Sequence, residues 1–211
     1  MKLAYRDLPS TSAGRAAVVF HPEGVPSTDR PTGIALASGA VGRVVAPFGD
    51  YAFYPSGMEV GGICWYRAVP GTEAADPISL TKAVVQACDL LDDLDLERPA
   101  LIGWGQGGVV ALGAGLLRSG RVGSVIAVDV PSAHLELLPP AALAADGAPP
   151  VLLAVSRPGG ESTVSDQQAR LGHHAITTSG WHWTGEDAGG ESGDERDKAV
   201  AERIGQWLTN G

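Results

Sequence analysis

The segment LIGWGQGG, residues 101–108, joins an apolar run to a helical pattern. Residues 100–104 predict a buried strand, and residues 106–118 predict a helix with Gly120 near its carboxyl end. A glycine-rich turn between a strand and a helix has two common uses. It can hold a phosphate group at the amino end of the helix, or it can present a catalytic side chain at the edge of a parallel sheet.

The phosphate interpretation has little support in this sequence. The turn is not G-x-G-x-x-G in the first strand–helix unit, it has no P-loop lysine, and no acidic ribose ligand stands out. The other interpretation, a G-x-S-x-G turn, requires Ser, Cys or Asp at position 105. Because position 105 is glycine, the turn has the right form without the nucleophile.

Strand-like apolar runs alternate with helical patterns along the rest of the chain. Predicted strands cover residues 16–20, 44–46, 124–130, 151–155 and 175–178, with residues 63–66 as a short strand or loop wall. Predicted helices cover residues 78–94, 163–171 and 194–208. This alternation predicts an α/β protein with a parallel, doubly wound sheet covered by helices on both faces. Since no repeat or linker interrupts it, we expect one domain over residues 1–211.

Composition and charge exclude several classes of protein. The 29 glycines and 15 prolines show no period of three, which excludes collagen. The formal net charge of −9, from 15 basic and 24 acidic residues, argues against a nucleic-acid surface. No window approaches about 18 uncharged apolar residues, and the amino-terminal segment lacks the apolar core of a signal peptide. We therefore expect a cytoplasmic protein without a membrane span.

The cysteines and most of the histidines are expected to be structural or peripheral. Cys64 and Cys88 are too few for a disulfide framework, no Cys/His cluster has zinc spacing, and both thiols lie in apolar or helical patterns that predict packing. The sequence thus implies no metal and no organic cofactor. We expect His21 to be a structural residue at a strand end, and surface or loop positions for His134, His173 and His174.

The run GWGQGG resembles the GFSQGG turn of the phospholipase/carboxylesterase family, which includes the acyl-protein thioesterases. Further segments resemble the family in order, from about residue 16 to residue 208: FHPEG (20–24) its HGxG, VAP (45–47) the strand before its substrate loop, Trp65-Tyr66 its Trp-Phe, ESTV (161–164) its D-x-x-V, and GWH (180–182) its G-x-H. The chain departs from the family at Gly105 for Ser, Pro22 for Gly and Glu161 for Asp.

The resemblance implies an α/β-hydrolase fold with a minimal cap, formed by residues 51–69, in a monomer or homodimer. It places Gly105 at the nucleophile position, where glycine keeps the strained positive φ of the turn but supplies no nucleophile. The backbone N–H groups of Gln106 and Glu23 would be the oxyanion donors. The Glu23 carboxylate would stand beside them, where it suits the handling of a proton better than the stabilisation of an anion.

The resemblance also implies that His182 is a base held by an acid. Glu161 matches the family's acid segment, and Asp129, at the end of a predicted strand, is the rival position. Alternatively, His182 is a packed histidine and Glu161 a loop charge. The substrate pocket would be surrounded by the aromatic residues, for which core packing is the alternative: Trp65, Tyr66, Trp104, Trp181 and Trp183.

Three functions are compatible with this pattern. The first is an enzyme that acts without a covalent Ser nucleophile, by His/acid proton transfer on a small acyl, ester or lactone-type metabolite, through cyclisation, elimination, isomerisation or direct hydrolysis by water. The second is a catalytically dead pseudo-hydrolase that binds a ligand or partner. The third is a carboxylesterase or thioesterase with an engineered Ser→Gly change. The ionisable set of Glu23, His182 and Glu161 favours the enzyme.

Overall fold

The computed structural model describes residues 2–9, 13–53, 61–72, 74–138, 148–156, 160–173, 178–182, 184 and 192–210. Within these residues the strands are β1 (Tyr5–Pro9), β2 (Arg15–Phe20), β3 (Val41–Pro47), β4 (Tyr51–Phe53), β5 (Gly62–Cys64), β6 (Ala100–Trp104), β7 (Ser124–Val128), β8 (Val151–Val155) and β9 (Thr178–His182). The α-helices of the same ranges are α1 (Asp29–Ala37), α2 (Pro77–Asp93), α3 (Gln106–Leu117), α4 (Glu161–His173) and α5 (Ser192–Asn210). Short 3₁₀ turns cover Ser119–Arg121 and Ser132–Leu137.

Seven strands form one sheet in the order β1-β3-β2-β6-β7-β8-β9, and β4 pairs with β5 separately. Only β1 runs antiparallel to its neighbour; the other pairings in the large sheet are parallel. The predicted doubly wound parallel sheet is therefore confirmed. No large cap covers the carboxyl ends of the strands within the described part of the chain.

The central strands are buried on both sides, which explains their continuous apolar sequences. Every residue of β6, β7 and β8 is buried, as expected for parallel strands sandwiched between helices. One core joins the sheet to α2, α3 and Leu171 of α4, and the other joins it to α1 and α5. This arrangement leaves the carboxyl ends of the strands as the open edge where a site can form.

Several elements differ from the sequence prediction. Strand β1 and helix α1 were not expected, because β1 is an exposed edge strand and α1 contains Pro31 and Gly33 in a weakly patterned segment. Helix α4 begins two residues earlier than predicted, at Glu161. The predicted last strand begins in residues 174–177, which lie outside the described residues, and β9 continues four residues further than predicted, to His182. Strand β7 ends at Val128, so that Asp129 follows the strand.

Cys64 and Cys88 are buried free thiols, as expected. No helix in the described ranges is long and apolar enough to cross a membrane.

Candidate active site at the turn between β6 and α3

Gly105 forms the sharp turn between β6 and α3. Its backbone has φ 51° and ψ −123°, a conformation that side-chain-bearing residues rarely adopt. The Gly105 N–H donates to the carbonyl of Val128 at 2.9 Å, which ties the turn to β7. Close approach explains the next glycine: a Cβ at Gly107 would overlap the carbonyl oxygens of Phe20 and His21. The turn thus requires glycine at 105, and the packing of α3 against the end of β2 requires it at 107.

The carboxylate of Glu23 occupies the space above Gly105. The backbone N–H of Gln106 donates to Glu23 Oε2 at 3.0 Å. A Cβ atom on residue 105 would overlap that same oxygen. Because Gln106 is the first residue of α3, the carboxylate also lies at the positive end of the helix dipole. The acid from the loop after β2 therefore occupies the space that a side chain at 105 would need, and it uses the first backbone N–H donor of α3.

The loop that carries Glu23 is fixed from the side of β5. The N–H of Gly24, which has φ 71°, donates to the carbonyl of Ile63 at 2.9 Å, and the Ile63 N–H donates to the carbonyl of Val25 at 3.0 Å. The side chain of Gln106 adds a second tie, since its Oε1 accepts the N–H groups of Trp65 at 3.1 Å and Tyr66 at 3.3 Å. Gln106 thus holds the Glu23 carboxylate with its backbone and the β5 segment with its side chain.

A cavity of about 390 Å³ opens in front of Glu23 and Gly105. Its sheet side is formed at the carboxyl ends of β2, β6, β7 and β8, and its other wall is formed by α1 and α5. The apolar part of the lining includes Trp104, Ile34 and Val200. A volume of this size fits a small molecule, and its place at the carboxyl ends of parallel strands is the usual one for ligands in such sheets.

Asp129 and Ser156 form a hydrogen-bonded pair in this cavity. Asp129 is one of two non-glycine residues with positive φ in the described ranges, at 51°. Its Oδ1 accepts the N–H of Ser156 at 2.8 Å, and its Oδ2 accepts the Ser156 hydroxyl in a short contact. Ser156 was not predicted as a site residue, although its position directly after a buried parallel strand is a usable signal. The pair connects the ends of β7 and β8.

The helical wall contributes charged residues that were not expected at the site. Arg30 of α1 makes a bidentate ion pair with Asp197 of α5, at 2.8 Å to Oδ2 and 2.9 Å to Oδ1. Hydrogen bonding with Asp197 raises the pKa of the Arg30 guanidinium, which is therefore always charged. Arg196 also lines the cavity and has no hydrogen-bond or ion-pair partner among the described residues. Arg30 belongs to α1, which was not predicted from the sequence. Arg196 and Asp197 lie in the first turns of α5, which was predicted to begin at residue 194 and begins at Ser192.

His182 lies at the same edge of the sheet, on the face that α4 covers. It is the last residue of β9 and pairs with Val155, the residue before Ser156. Gly180 faces Val164 of α4, and the alternation of side chains along a strand puts His182 on that face too. Glu161 is the exposed first residue of α4. Among the described residues, no hydrogen bond joins Glu161 to His182, and neither residue lines the cavity, so their pairing stays a prediction.

Most of the predicted aromatic residues belong to the core. Trp65 and Tyr66 are each 1% exposed and pack on the face covered by α2 and α3. The polar atoms of both side chains have hydrogen-bond partners there, so their burial leaves no polar group unsatisfied. Trp65 Nε1 donates to the carbonyl of His21 at 2.8 Å, and the Tyr66 hydroxyl lies 2.9 Å from His134 Nδ1. His134 is therefore buried, contrary to the expected surface or loop position.

The remaining tryptophans have different surroundings. Trp104 does line the cavity, although it is only 8% exposed. Trp181 packs against the core on the α1 and α5 face. Trp183 lies outside the described residues.

His21 has the structural role that the sequence predicts. Its ring stacks on Trp65, with centroids 4.8 Å apart, and its Nε2 accepts the N–H of Gly49 at 3.0 Å. The other ring nitrogen, Nδ1, then carries the proton and donates to the carbonyl of Pro22 at 2.6 Å. Burial lowers the pKa of His21, so it is neutral.

Comparison with solved structures identifies the fold as that of the α/β hydrolases. Esterase PE8 has a TM-score of 0.64 at 22% identity, covering 95% of this chain and 97% of its own. A carboxylesterase from Mesorhizobium loti has a TM-score of 0.68 at 17% identity, with 98% and 94% covered. Acyl-protein thioesterase 2 from Zea mays has a TM-score of 0.58 at 15% identity, with 95% and 99% covered. No model of a protein family and no curated protein matches the sequence.

Proposed function

We propose that this protein is an α/β-hydrolase-fold enzyme that transfers protons without a serine nucleophile, acting on a small ester, lactone or other acyl compound. The observation that carries the proposal is the Glu23 carboxylate, which is held over Gly105 by the Gln106 N–H and borders the cavity. A passive pocket does not need an ionised group fixed at the place where hydrolases of this fold do their chemistry.

In the proposed mechanism Glu23 is the base. It accepts a proton from a water molecule that attacks the acyl carbon, or from an acidic carbon or hydroxyl of the substrate. The Gln106 N–H donates to the carboxylate and fixes its orientation. Because that single N–H cannot bind Glu23 Oε2 and a substrate oxyanion equally well at once, steps that need a base are favoured over formation of a covalent acyl-enzyme.

His182, with Glu161 as its acid, is proposed as the second proton-transferring group. Its support is its position at the carboxyl end of β9, where it pairs with Val155 of β8, the residue before the cavity residue Ser156. Asp129 is the other acid near the site, and its carboxylate already accepts two hydrogen bonds from Ser156. As the partner of Glu23, His182 would accept the proton that Glu23 has taken up and deliver it to the departing oxygen as the acyl bond breaks, so that both residues return to their starting states.

The test replaces each proposed base by a residue of similar or smaller size. Glu23→Gln keeps the shape of the side chain and removes the charge, and we expect turnover of p-nitrophenyl butyrate or δ-valerolactone to fall about 10²–10⁴-fold. His182→Ala is expected to reduce turnover by a similar order. Glu97→Gln is the matched control, because Glu97 is exposed and precedes β6 at the opposite edge of the sheet. Unchanged turnover in Glu23→Gln would overturn the proposal.

A second candidate function is a pseudo-hydrolase that binds a ligand in the same cavity. The observation in its favour is that Glu23 already occupies the donor Gln106 N–H, as expected for a disabled site. This candidate predicts saturable ligand binding, followed through Trp104 fluorescence, without any product that depends on Glu23 or His182. An engineered Ser→Gly esterase is less favoured, because a side chain at 105 would overlap Glu23 where it stands.

A further inference from the structure

The cavity in front of Glu23 is lined by charged residues of both signs. Three carboxylates line it, from Glu23, Asp129 and Asp197, and two guanidinium groups line it, from Arg30 and Arg196. Such a mixed lining does not by itself indicate the charge of a ligand. The partners of each group do, because polar groups inside proteins have at least one hydrogen-bond partner, and a charged group that lacks one is the group that a ligand can satisfy.

Each carboxylate of the lining already accepts hydrogen bonds. Glu23 accepts the Gln106 N–H, Asp129 accepts two bonds from Ser156, and Asp197 accepts two bonds from Arg30. Arg196 has no such partner among the described residues. Arg30 uses Nε and Nη2 on Asp197, which leaves Nη1 as a further donor. Among the described residues, the donors that remain unmatched in this cavity therefore belong to its arginines.

We infer that the ligand of this cavity carries an anionic group, a carboxylate, which Arg196 and Nη1 of Arg30 bind on the α1 and α5 wall. The planar donors of arginine match the two oxygens of a carboxylate. What happens to the bound ligand rests on the proposed function, in which the reacting acyl group lies next to Glu23. The substrate class is then a short ester or lactone that bears a free carboxylate.

The surroundings favour a carboxylate over a phosphate. A phosphate dianion would be repelled more strongly by Glu23, Asp129 and Asp197 than a monoanion, because the interaction energy scales with the product of the charges. The cavity of about 390 Å³ limits the ligand to a small molecule. Its apolar surfaces on Ile34, Trp104 and Val200 suit a short hydrocarbon chain between the two ends.

Binding is measured with an unreactive probe, so that the result does not depend on catalysis. The probe is glutaramate, which has a carboxylate at one end and an amide in place of the ester, and its neutral partner is the methyl ester of glutaramate. Calorimetry compares the wild-type protein with Arg196→Gln and with Lys198→Gln. Lys198 is the matched control, because it is an exposed cation of the same helix that does not line this cavity.

We expect Arg196→Gln to weaken glutaramate binding about tenfold or more and to leave the methyl ester unaffected, since a charge-assisted hydrogen bond is lost. Lys198→Gln should change both affinities less than about twofold, because an exposed charge outside the cavity is screened by solvent. An equal effect of Arg196→Gln on both probes, no binding of glutaramate, or tighter binding of inorganic phosphate than of glutaramate would overturn the inference.

Turnover of monomethyl glutarate separates this inference from the proposed function. Arg196-dependent binding of glutaramate without turnover of the ester would support the binding site and contradict the enzyme. Turnover that depends on Glu23 but is equal for monomethyl and dimethyl glutarate would support the enzyme and overturn the anionic substrate.

Discussion

The Oε2 atom of Glu23 lies so close to Gly105 that the Cβ atom of any larger residue at position 105 would overlap it. Gly105 supplies both the positive φ of the turn and the room for this carboxylate. Glu23, in turn, accepts the Gln106 N–H at the start of α3. The two residues are therefore a structural pair, and changing one of them alters what the other can do.

Placing an alanine or serine at position 105 should destabilise the protein. The positive φ costs a side-chain-bearing residue about 1–3 kcal/mol, and the new Cβ must displace the Glu23 carboxylate from the Gln106 N–H. Urea unfolding of Gly105→Ala, with and without Glu23→Ala, separates the two effects. Because the double variant removes the overlap but keeps the strained φ, we expect it to lose less stability than the sum of the single variants.

Gly33→Ala is the control for this series. Gly33 is exposed within α1, a methyl group there would meet no other atom within 4 Å, and its φ is not positive, so alanine should stabilise the helix by about 0.5–1 kcal/mol.

Gly105→Ser also tests the history of the site. We expect weak activity on p-nitrophenyl butyrate, because Glu23 competes for the oxyanion donor; strong activity would identify an esterase scaffold that needs only its serine.

Two substitutions of Asp129 should lower the free energy of unfolding by different amounts. Asp129→Ala removes the acceptor for the Ser156 N–H and hydroxyl and retains the positive φ, so we expect a loss of about 1–3 kcal/mol in the free energy of unfolding. Asp129→Gly loses the same hydrogen bonds but relieves the backbone strain. Chemical denaturation should therefore rank Asp129→Gly above Asp129→Ala; the reverse order would show that the φ of 51° is not strained.

His21 should make stability depend on pH in the weakly acidic range. Burial lowers its pKa from the ordinary value of 6.5, so the folded state holds the neutral ring while the unfolded chain binds a proton more readily. The contribution of His21 is then complete above pH 6.5 and is lost as the pH falls through the lower pKa of the folded state. Denaturation at several pH values measures this slope.

The variant His21→Gln is the comparison for this pH series. An amide oxygen can still accept the Gly49 N–H but does not titrate, so part of the slope below the ordinary pKa of histidine should disappear. A slope identical to that of the wild-type protein would contradict this, because it would mean that His21 binds protons equally in the folded and unfolded states.

The two cysteines should be unreactive until the protein unfolds. Burial raises the pKa of the Cys88 thiol to about 11, and burial raises that of Cys64 as well, so little thiolate is present near neutral pH. With Ellman's reagent, we expect no release of colour from the native protein and two thiols after addition of guanidinium chloride. Cys64→Ser assigns the signal; rapid native labelling that this variant abolishes would reveal a reactive thiol near Glu23.

The sequence determined the fold, because the physical signals of the fold are local. Buried parallel strands such as β6 and β8 appear as continuous apolar runs, and the glycines around position 105 mark a turn that few other residues can form. Strand β1 and helix α1 escaped prediction, since an exposed edge strand and a short helix with Pro31 and Gly33 have no strong periodicity.

The sequence also singled out Glu23, Gly105 and Gln106, but only the tertiary structure decided how they are related. The loop after β2 and the start of α3 are 83 positions apart, and parallel pairing of β2 with β6 brings them within hydrogen-bonding distance. The same holds for Ser156 with Asp129. It also holds for Arg30 of α1 and Arg196 of α5, which line one cavity only because the two helices pack on the same face of the sheet. Residue type fixes what a side chain can do, whereas its partners depend on long-range packing.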